Sequence, residues 1–262
     1  MAAWGDQGHW HMSQSMQPVD LLVFGPHPDD IEIGLGGTVA LHAARGDRVG
    51  LCDLTLGELG SNGTPEEREA EGEDARGVLG AAWRTNLHWP DGAITGTDTQ
   101  IGDVVRLVRQ TRPRAVAIPY WDDRHPDHRA ASDVLRRAVF RSGLRRFQVA
   151  GAEGLESWRP DWVCFYFIND SSAVSFAVDV SEQYQRKRDA LACHRSQFAP
   201  AETSKVDTRL TSPRFQQLIE SRDAHLGALT GVAFAEGIIV KEPLLRDSLF
   251  RLPATPAPGP TP

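Results

Sequence analysis

The sequence predicts an α/β fold, Rossmann-like, with a mainly parallel sheet flanked by helices and small antiparallel additions. Three observations carry this expectation. Short apolar runs alternate with segments of helical periodicity, and capping residues and glycines fall between them. The 262 residues are 40% hydrophobic and 24% charged, a balance that can bury a core without reading as disordered or membranous.

The first apolar run, Leu21-Leu22-Val23-Phe24, ends at Gly25-Pro26. Ile31 to Ala44 then carries helical spacing and stops at Gly46, a usual helix-ending glycine. Val49 to Leu54 reads as the second strand. Thr64-Pro65-Glu66-Glu67 supplies a cap residue, a proline at the first helical position and a glutamate three residues after the cap, so a helix is expected to about Gly80. Ile101, Val104, Val105 and Val108 form the next apolar stripe, closed by Arg112-Pro113 before a strand at Ala115 to Ile118. A helix over Asp127 to Ser142 turns Ala131, Val134, Leu135 and Val139 inward and ends at Gly143. Val163 to Ile168 and Ser175 to Val180 are separated by a short polar turn and are expected to pair as an antiparallel hairpin. Ser212-Pro213 opens a further helix that Gly231 ends.

One domain over residues 19–250 is expected, between a polar, mobile extension over 1–18 and a disordered proline-rich tail over 251–262. No run approaches the roughly 20 apolar residues that a membrane helix needs. The net charge of −7 gives no global attraction to nucleic acid or anionic lipid, and the cluster Arg136, Arg137, Arg141, Arg145 and Arg146 reads as a solvated helix face. Cys52, Cys164 and Cys193 are odd in number and widely spaced, which points to the cytoplasm rather than to a disulfide framework.

Two segments carry chemistry. His27-Pro28-Asp29-Asp30 directly follows an apolar strand, and Asp122-Asp123-Arg124-His125-Pro126-Asp127-His128 follows another. Open α/β sheets place their sites at the carboxyl ends of strands, so both loops are expected to face one crevice. Either H-P-D alone reads as a turn with an aspartate cap. Two of them, each after a strand, point to a site. Imidazole and carboxylate without thiolate suit zinc or ferrous iron, and three protein ligands leave a position for water. One of the adjacent aspartates is free to accept that water's proton, and spacing does not say which. Gly34-Leu35-Gly36-Gly37 lacks the G-x-G-x-x-G spacing of a phosphate loop and reads as close helix packing. Ser61 stands in no G-x-S-x-G elbow, which argues against a serine hydrolase.

At these residues the sequence resembles the LmbE-like, or PIG-L, family of zinc N-acetylglucosaminyl deacetylases. The resemblance extends through Gly34-Leu35-Gly36-Gly37-Thr38, Thr55-Leu56-Gly57-Glu58-Leu59-Gly60-Ser61, Pro119-Tyr120 and Ser196-Gln197-Phe198, and covers residues 19–250. The G-E-L-G-S and D-R-H-P-D-H segments are most similar to the bacillithiol-biosynthesis branch, which deacetylates N-acetylglucosaminyl malate. By position, the resemblance implies His27, Asp30 and His128 as metal ligands and Asp29 as general base. It implies a protonated His125 that stabilises the oxyanion, with Asp127 tuning or orienting it. Some relatives carry a tyrosine two residues before this histidine, where this chain has Asp123. The resemblance implies Arg68 as a substrate contact, against the alternative of a solvated helix charge; Arg124, within the metal loop and able to grip a carboxylate bidentately, is a further candidate, against a local salt bridge to Asp122 or Asp123, and Glu58 is expected to line the pocket. A homo-oligomer, hexameric in form, and a small N-acetyl sugar as partner follow from the same resemblance. The competing readings are an amidase or deacetylase of another amino sugar or thiol conjugate, and a non-catalytic metal- or sugar-binding protein. The second would not require both Asp29 and His125.

Overall fold

The computed structural model describes residues 16–198 and 206–243, so most of the N-terminal extension and the whole proline-rich tail lie outside the described residues. Strands β1 (Leu21–Gly25), β2 (Val49–Thr55), β3 (Trp83–Trp89), β4 (Ala115–Pro119), β5 (Trp162–Tyr166), β6 (Phe176–Asp179) and β7 (Ala235–Ile239) form one sheet of seven, in the order β3-β2-β1-β4-β5-β7-β6. The helices are α1 (Asp30–Ala44), α2 (Pro65–Leu79), α3 (Asp98–Thr111), α4 (Pro126–Ser142), α5 (Tyr184–Cys193), α6 (Arg195–Phe198) and α7 (Pro213–Thr230).

Pairing from β3 through β5 is parallel throughout. β1 shows why its sequence is an unbroken apolar run: Leu22 and Phe24 pack into the α3–α4 layer, Leu21 and Val23 into the α1 layer, and both faces are buried. The α2 boundaries follow the sequence closely. Thr64 and Glu67 form a reciprocal capping box, and Gly80 ends the helix at a φ of 77°.

The hairpin expected between residues 163–168 and 175–180 does not form. β7, the last of these strands in chain order, lies between β5 and β6 and pairs antiparallel with both. The short polar connection therefore spans a strand's width rather than making a tight turn, and the antiparallel addition comes from β7. Two strands carry polar residues that hide them from a reading by apolar pattern. On β3, Arg84 bonds both oxygens of Asp53 at 2.6 and 2.9 Å and reaches Glu32 at 2.6 Å. On β7, Glu236 accepts the backbone N–H groups of Gly37 and Thr38 at 2.9 and 2.7 Å.

The Gly34-Leu35-Gly36-Gly37 run is a packing surface, as its spacing suggests. A Cβ on Gly34 would lie 2.3 Å from the Tyr166 ring, and one on Gly37 would meet Val180 at 2.8 Å. The same face of α1 is tied down by a buried triad in which Lys187 Nζ donates to Asp223 Oδ2 and Glu236 Oε1, both at 2.6 Å. Arg222 adds a second cation, its Nε 3.0 Å from Asp223 Oδ1. Lys187→Met leaves two buried carboxylates with one cation, and breaking a buried pair costs about 3–5 kcal/mol. Urea unfolding should show a loss of that order; a loss under about 1 kcal/mol would mean that water reaches the triad.

Candidate metal centre

The site lies where the carboxyl ends of five parallel strands converge. Each following loop contributes a polar residue: His27 to Asp30 after β1, Glu58 after β2, Asp91 after β3, Asp123 to His128 after β4 and Asn169 after β5. Because β1 and β4 are hydrogen-bonded neighbours, with Leu21 opposite Ala115, their loops meet. The expectation of one shared crevice holds.

His27 Nδ1 and His128 Nε2 approach the same oxygen, Asp30 Oδ2, at 3.1 and 3.3 Å. The His27 backbone N–H donates to that oxygen at 3.0 Å. The ligand atoms of these three buried residues lie within 4.8 Å of one another, so His27, Asp30 and His128 can hold a metal ion. The remaining imidazole nitrogens face carboxylates. Asp91 Oδ1 and Asp127 Oδ2 lie 3.1 and 3.4 Å from His27 Nε2, and Asp123 Oδ1 lies 3.2 Å from His128 Nδ1. Metal-binding histidines are ordinarily oriented in this way by a carboxylate on their second nitrogen.

The charges tell the same story. His27 is held well above its usual range: burial opposes this, but hydrogen bonds to Asp127, Asp30 and Asp91 outweigh it. Burial likewise opposes a rise in His128, which Asp30 and Asp123 nevertheless push up to about 9. Asp30 stays well below the ordinary carboxylate range despite burial, because of His128 and His27. The carboxylates of Asp29, Asp30, Asp91, Asp123 and Asp127, with Arg68 beside them, thus surround three imidazoles, and a divalent cation suits that donor set.

A second group, His27, His125 and Asp127, also has ligand atoms within this range. Its members are already engaged. Asp127 Oδ2 accepts the Gly92 N–H at 3.0 Å, and His125 Nδ1 accepts the Asp127 backbone N–H at 3.2 Å. The latter bond leaves the proton of a neutral His125 on Nε2. Asp127 thus orients His125 through its backbone amide, while its carboxylate turns to His27. Burial, then His128 and His27, hold His125 below its ordinary range, with Asp30 and Asp127 opposing.

Asp29 occupies a strained position, with a φ of 113°. Arg68 holds the turn, donating from Nη2 to Pro28 O at 2.8 Å and to Asp29 Oδ2 at 3.4 Å, and from Nη1 to Gly57 O at 2.8 Å. Arg68 is 5% exposed, so the solvated-helix alternative is excluded; what its guanidinium meets here is the protein's own backbone and the Asp29 carboxylate. Gly57, at a φ of 67°, admits that guanidinium, which a Cβ would overlap at 1.8 Å. Burial pushes the Asp29 carboxyl up to about 6, Arg68 pulling the other way.

Glu58 is exposed, and its Oε1 accepts the Asp91 N–H at 2.7 Å, bracing the turn that carries Asp91. Arg124 is exposed at the mouth; its backbone N–H donates to Asp170. Among the described residues its guanidinium makes no ion pair with Asp122 or Asp123. Asp91, Asn169 and the His128-facing role of Asp123 escape a reading of sequence alone. Pro90-Asp91-Gly92 is a turn signal directly after β3, and recognising that strand would have placed Asp91 beside the site.

A mainly parallel sheet with a His-Asp-His centre at its carboxyl edge defines a class of metal-binding α/β proteins. Residues 22–139 match the family model PIG-L, GlcNAc-PI de-N-acetylase. The solved structure of the conserved protein TT1542 from Thermus thermophilus is 38% identical, covers 89% of this chain and 100% of its own, and superposes with a TM-score of 0.79. The diacetylchitobiose deacetylase of Thermococcus kodakarensis is 28% identical over 83% of this chain and 81% of its own. A Bacillus cereus protein named Probable N-acetyl-alpha-D-glucosaminyl L-malate deacetylase 2 is 27% identical over 68% of this chain and 83% of its own. The chain belongs to the PIG-L, or LmbE-like, deacetylase family. Among the described residues no helix is long and apolar enough to cross a membrane.

The strain at Asp29 has a measurable consequence. A non-glycine residue in a sparsely populated region costs about 1–3 kcal/mol, and glycine avoids the Cβ penalty there. Metal-free Asp29→Gly should therefore unfold at higher urea than metal-free Asp29→Ala, by about 1 kcal/mol. Equal stability would show that the loop relaxes once the carboxylate is gone.

Proposed function

We propose that this chain is a zinc-dependent N-deacetylase, a hydrolase of the linear amide in an N-acetylglucosaminide, with N-acetylglucosaminyl malate, the bacillithiol precursor, as its substrate. The observation that carries this reading is the grouping of His27, Asp30 and His128 on one oxygen beside a carboxylate, Asp29, and an imidazole, His125, that the ligand set does not require. A binding protein has no use for the last two. Ferrous iron is the other metal suited to the donors.

His27, Asp30 and His128 would hold the ion. A metal held there would supply Lewis acidity, toward the acetamide carbonyl and toward the attacking water. Asp29 accepts a proton from water as the water oxygen bonds to the acetyl carbon. His125 donates from Nε2 to the oxygen on which negative charge develops, which Asp127's amide makes possible by occupying Nδ1. The carbon–nitrogen bond then breaks, the sugar nitrogen takes the proton from Asp29, and acetic acid leaves, giving up its remaining proton to bulk water as acetate. Asp91, Asp123 and Asp127 hold the two histidine rings in place throughout.

Arg124 supports the choice of aglycone: it is an exposed guanidinium at the mouth, able to grip a carboxylate. Free Cys52, Cys164 and Cys193 support a cytoplasmic setting, and exposed Phe140 and Leu229 support association into a homo-oligomer.

Chelated protein should release no acetate from N-acetylglucosaminyl malate, and activity should return on adding zinc. Activity that survives full metal removal would sink the reading. Folded His128→Ala should contain less metal than wild type, whereas Asp29→Asn should keep its metal and lose about 10²–10⁴ in turnover, the usual worth of a general base. If Asp29→Asn loses the metal instead, the two aspartates exchange roles.

A further inference from the structure

Arg209 stands in the turn Thr208 to Thr211, which the two threonines brace by exchanging hydrogen bonds of 3.0 and 3.3 Å between backbone N–H groups and side-chain oxygens. Its guanidinium lies over the ring of buried Phe215, 5.0 Å from the centroid, and Nη1 donates to Asn169 Oδ1 at 3.3 Å. Asn169 belongs to the metal centre: its Nδ2 donates to Asp123 Oδ1 at 3.1 Å and lies 3.4 Å from His128 Nδ1. The next residue, Asp170, accepts the backbone N–H of Arg124. Arg209 and Arg124, far apart in the chain, therefore flank the same Asn169-Asp170 turn at the mouth of the crevice.

Among the described residues neither guanidinium has a carboxylate in ion-pair contact. Burial, and after it the nearby positive charge of Arg124, hold Arg209 below the usual arginine range, with Asp170 and Asp123 opposing. Two like charges placed together repel, and an anion between them converts that repulsion into attraction. A neutral disaccharide offers no such anion. A carboxylate-bearing aglycone does, and a planar guanidinium held by a ring and an amide is already oriented for it.

We propose that Arg209 is a specificity-determining residue that, with Arg124, binds the carboxylate of the sugar's aglycone while the acetamide lies over His27, Asp30 and His128. This rests on the deacetylase reading above. Arg209 reads the substrate's charge, and the chemistry proceeds without it.

The test compares kcat/KM for N-acetylglucosaminyl malate and for neutral N,N′-diacetylchitobiose in the zinc-loaded wild type, Arg209→Met and Arg209→Lys. A charge-assisted bond is worth about one to two powers of ten in affinity. Arg209→Met should lower kcat/KM for the malate glycoside at least about tenfold through KM, and leave the neutral sugar within about twofold. Arg209→Lys should recover part of the loss, and free malate should inhibit Arg209→Met more weakly than wild type. If both sugars fall by one factor, Arg209 only braces Asn169 and the proposal is overturned. An unchanged malate glycoside overturns it as well. Wild type that releases acetate from neither sugar overturns the deacetylase reading itself, and this inference with it.

Discussion

The parallel pairing of β1 with β4 sets the distance between the two loops that matter, because it brings the residues after Gly25 and after Pro119 to the same edge of the sheet. In an order of β3-β2-β1-β4-β5, this is also where successive connections turn to opposite faces, α1 and α2 on one side and α3 and α4 on the other. The crevice outside such a switch point is open by topology, with no helix packed across it. Asp30 Oδ2 then makes the connection chemical. It is approached by one histidine from each loop, so a shift of register between β1 and β4 would separate His27 from His128 and dissolve the centre.

A centre of this kind is costly to build. Asp29, Asp30, Asp123 and Asp127 are all at most 5% exposed, and each must find donors. The loops meet that demand with backbone N–H groups from His27, Gly92, His125 and Asn169, so the turns around the site are specified by the carboxylates as much as the reverse. Arg68 serves two loops at once, bonding Pro28 O and Gly57 O. The glycine at Gly57 is the counterpart of that arginine, since any side chain there would occupy the guanidinium's space.

Much of this was legible in the sequence wherever burial is apolar or a cap is explicit. β1, β2 and β4 are apolar runs because both faces of the central sheet are covered, and Thr64, Glu67 and Gly80 mark α2 at both ends. The two H-P-D segments announced the centre because strand ends are where such chemistry gathers. The strands that escaped reading did so through burial in ion pairs. Trp83–Trp89 looks too polar for a strand until Arg84 is seen between Asp53 and Glu32, and Ala235–Ile239 carries a glutamate that Lys187 and the N–H groups of Gly37 and Thr38 make tolerable. Missing those strands hid Asp91, and it made β5 and β6 look like hairpin partners. Asn169 and Arg209 carry no local signal at all, since their meaning comes from meeting across 40 residues.

The same logic separates the arginines by depth. Arg68 is buried and spends its Nη donors on Pro28, Asp29 and Gly57, so its contribution to any ligand passes through the loop it holds. A residue so committed can shape the metal centre and the position of Asp29, both of which every acetamide substrate meets alike. Discrimination between aglycones requires charge that is held in place yet not already neutralised by the protein. At the mouth, Arg209 is held by Phe215 and Asn169, and Arg124 is anchored through its backbone at Asp170. In the proposed deacetylase, catalytic competence and substrate choice thus fall to different layers of one crevice, and variation in the outer layer would redirect it without disturbing the oxygen that organises the inner one.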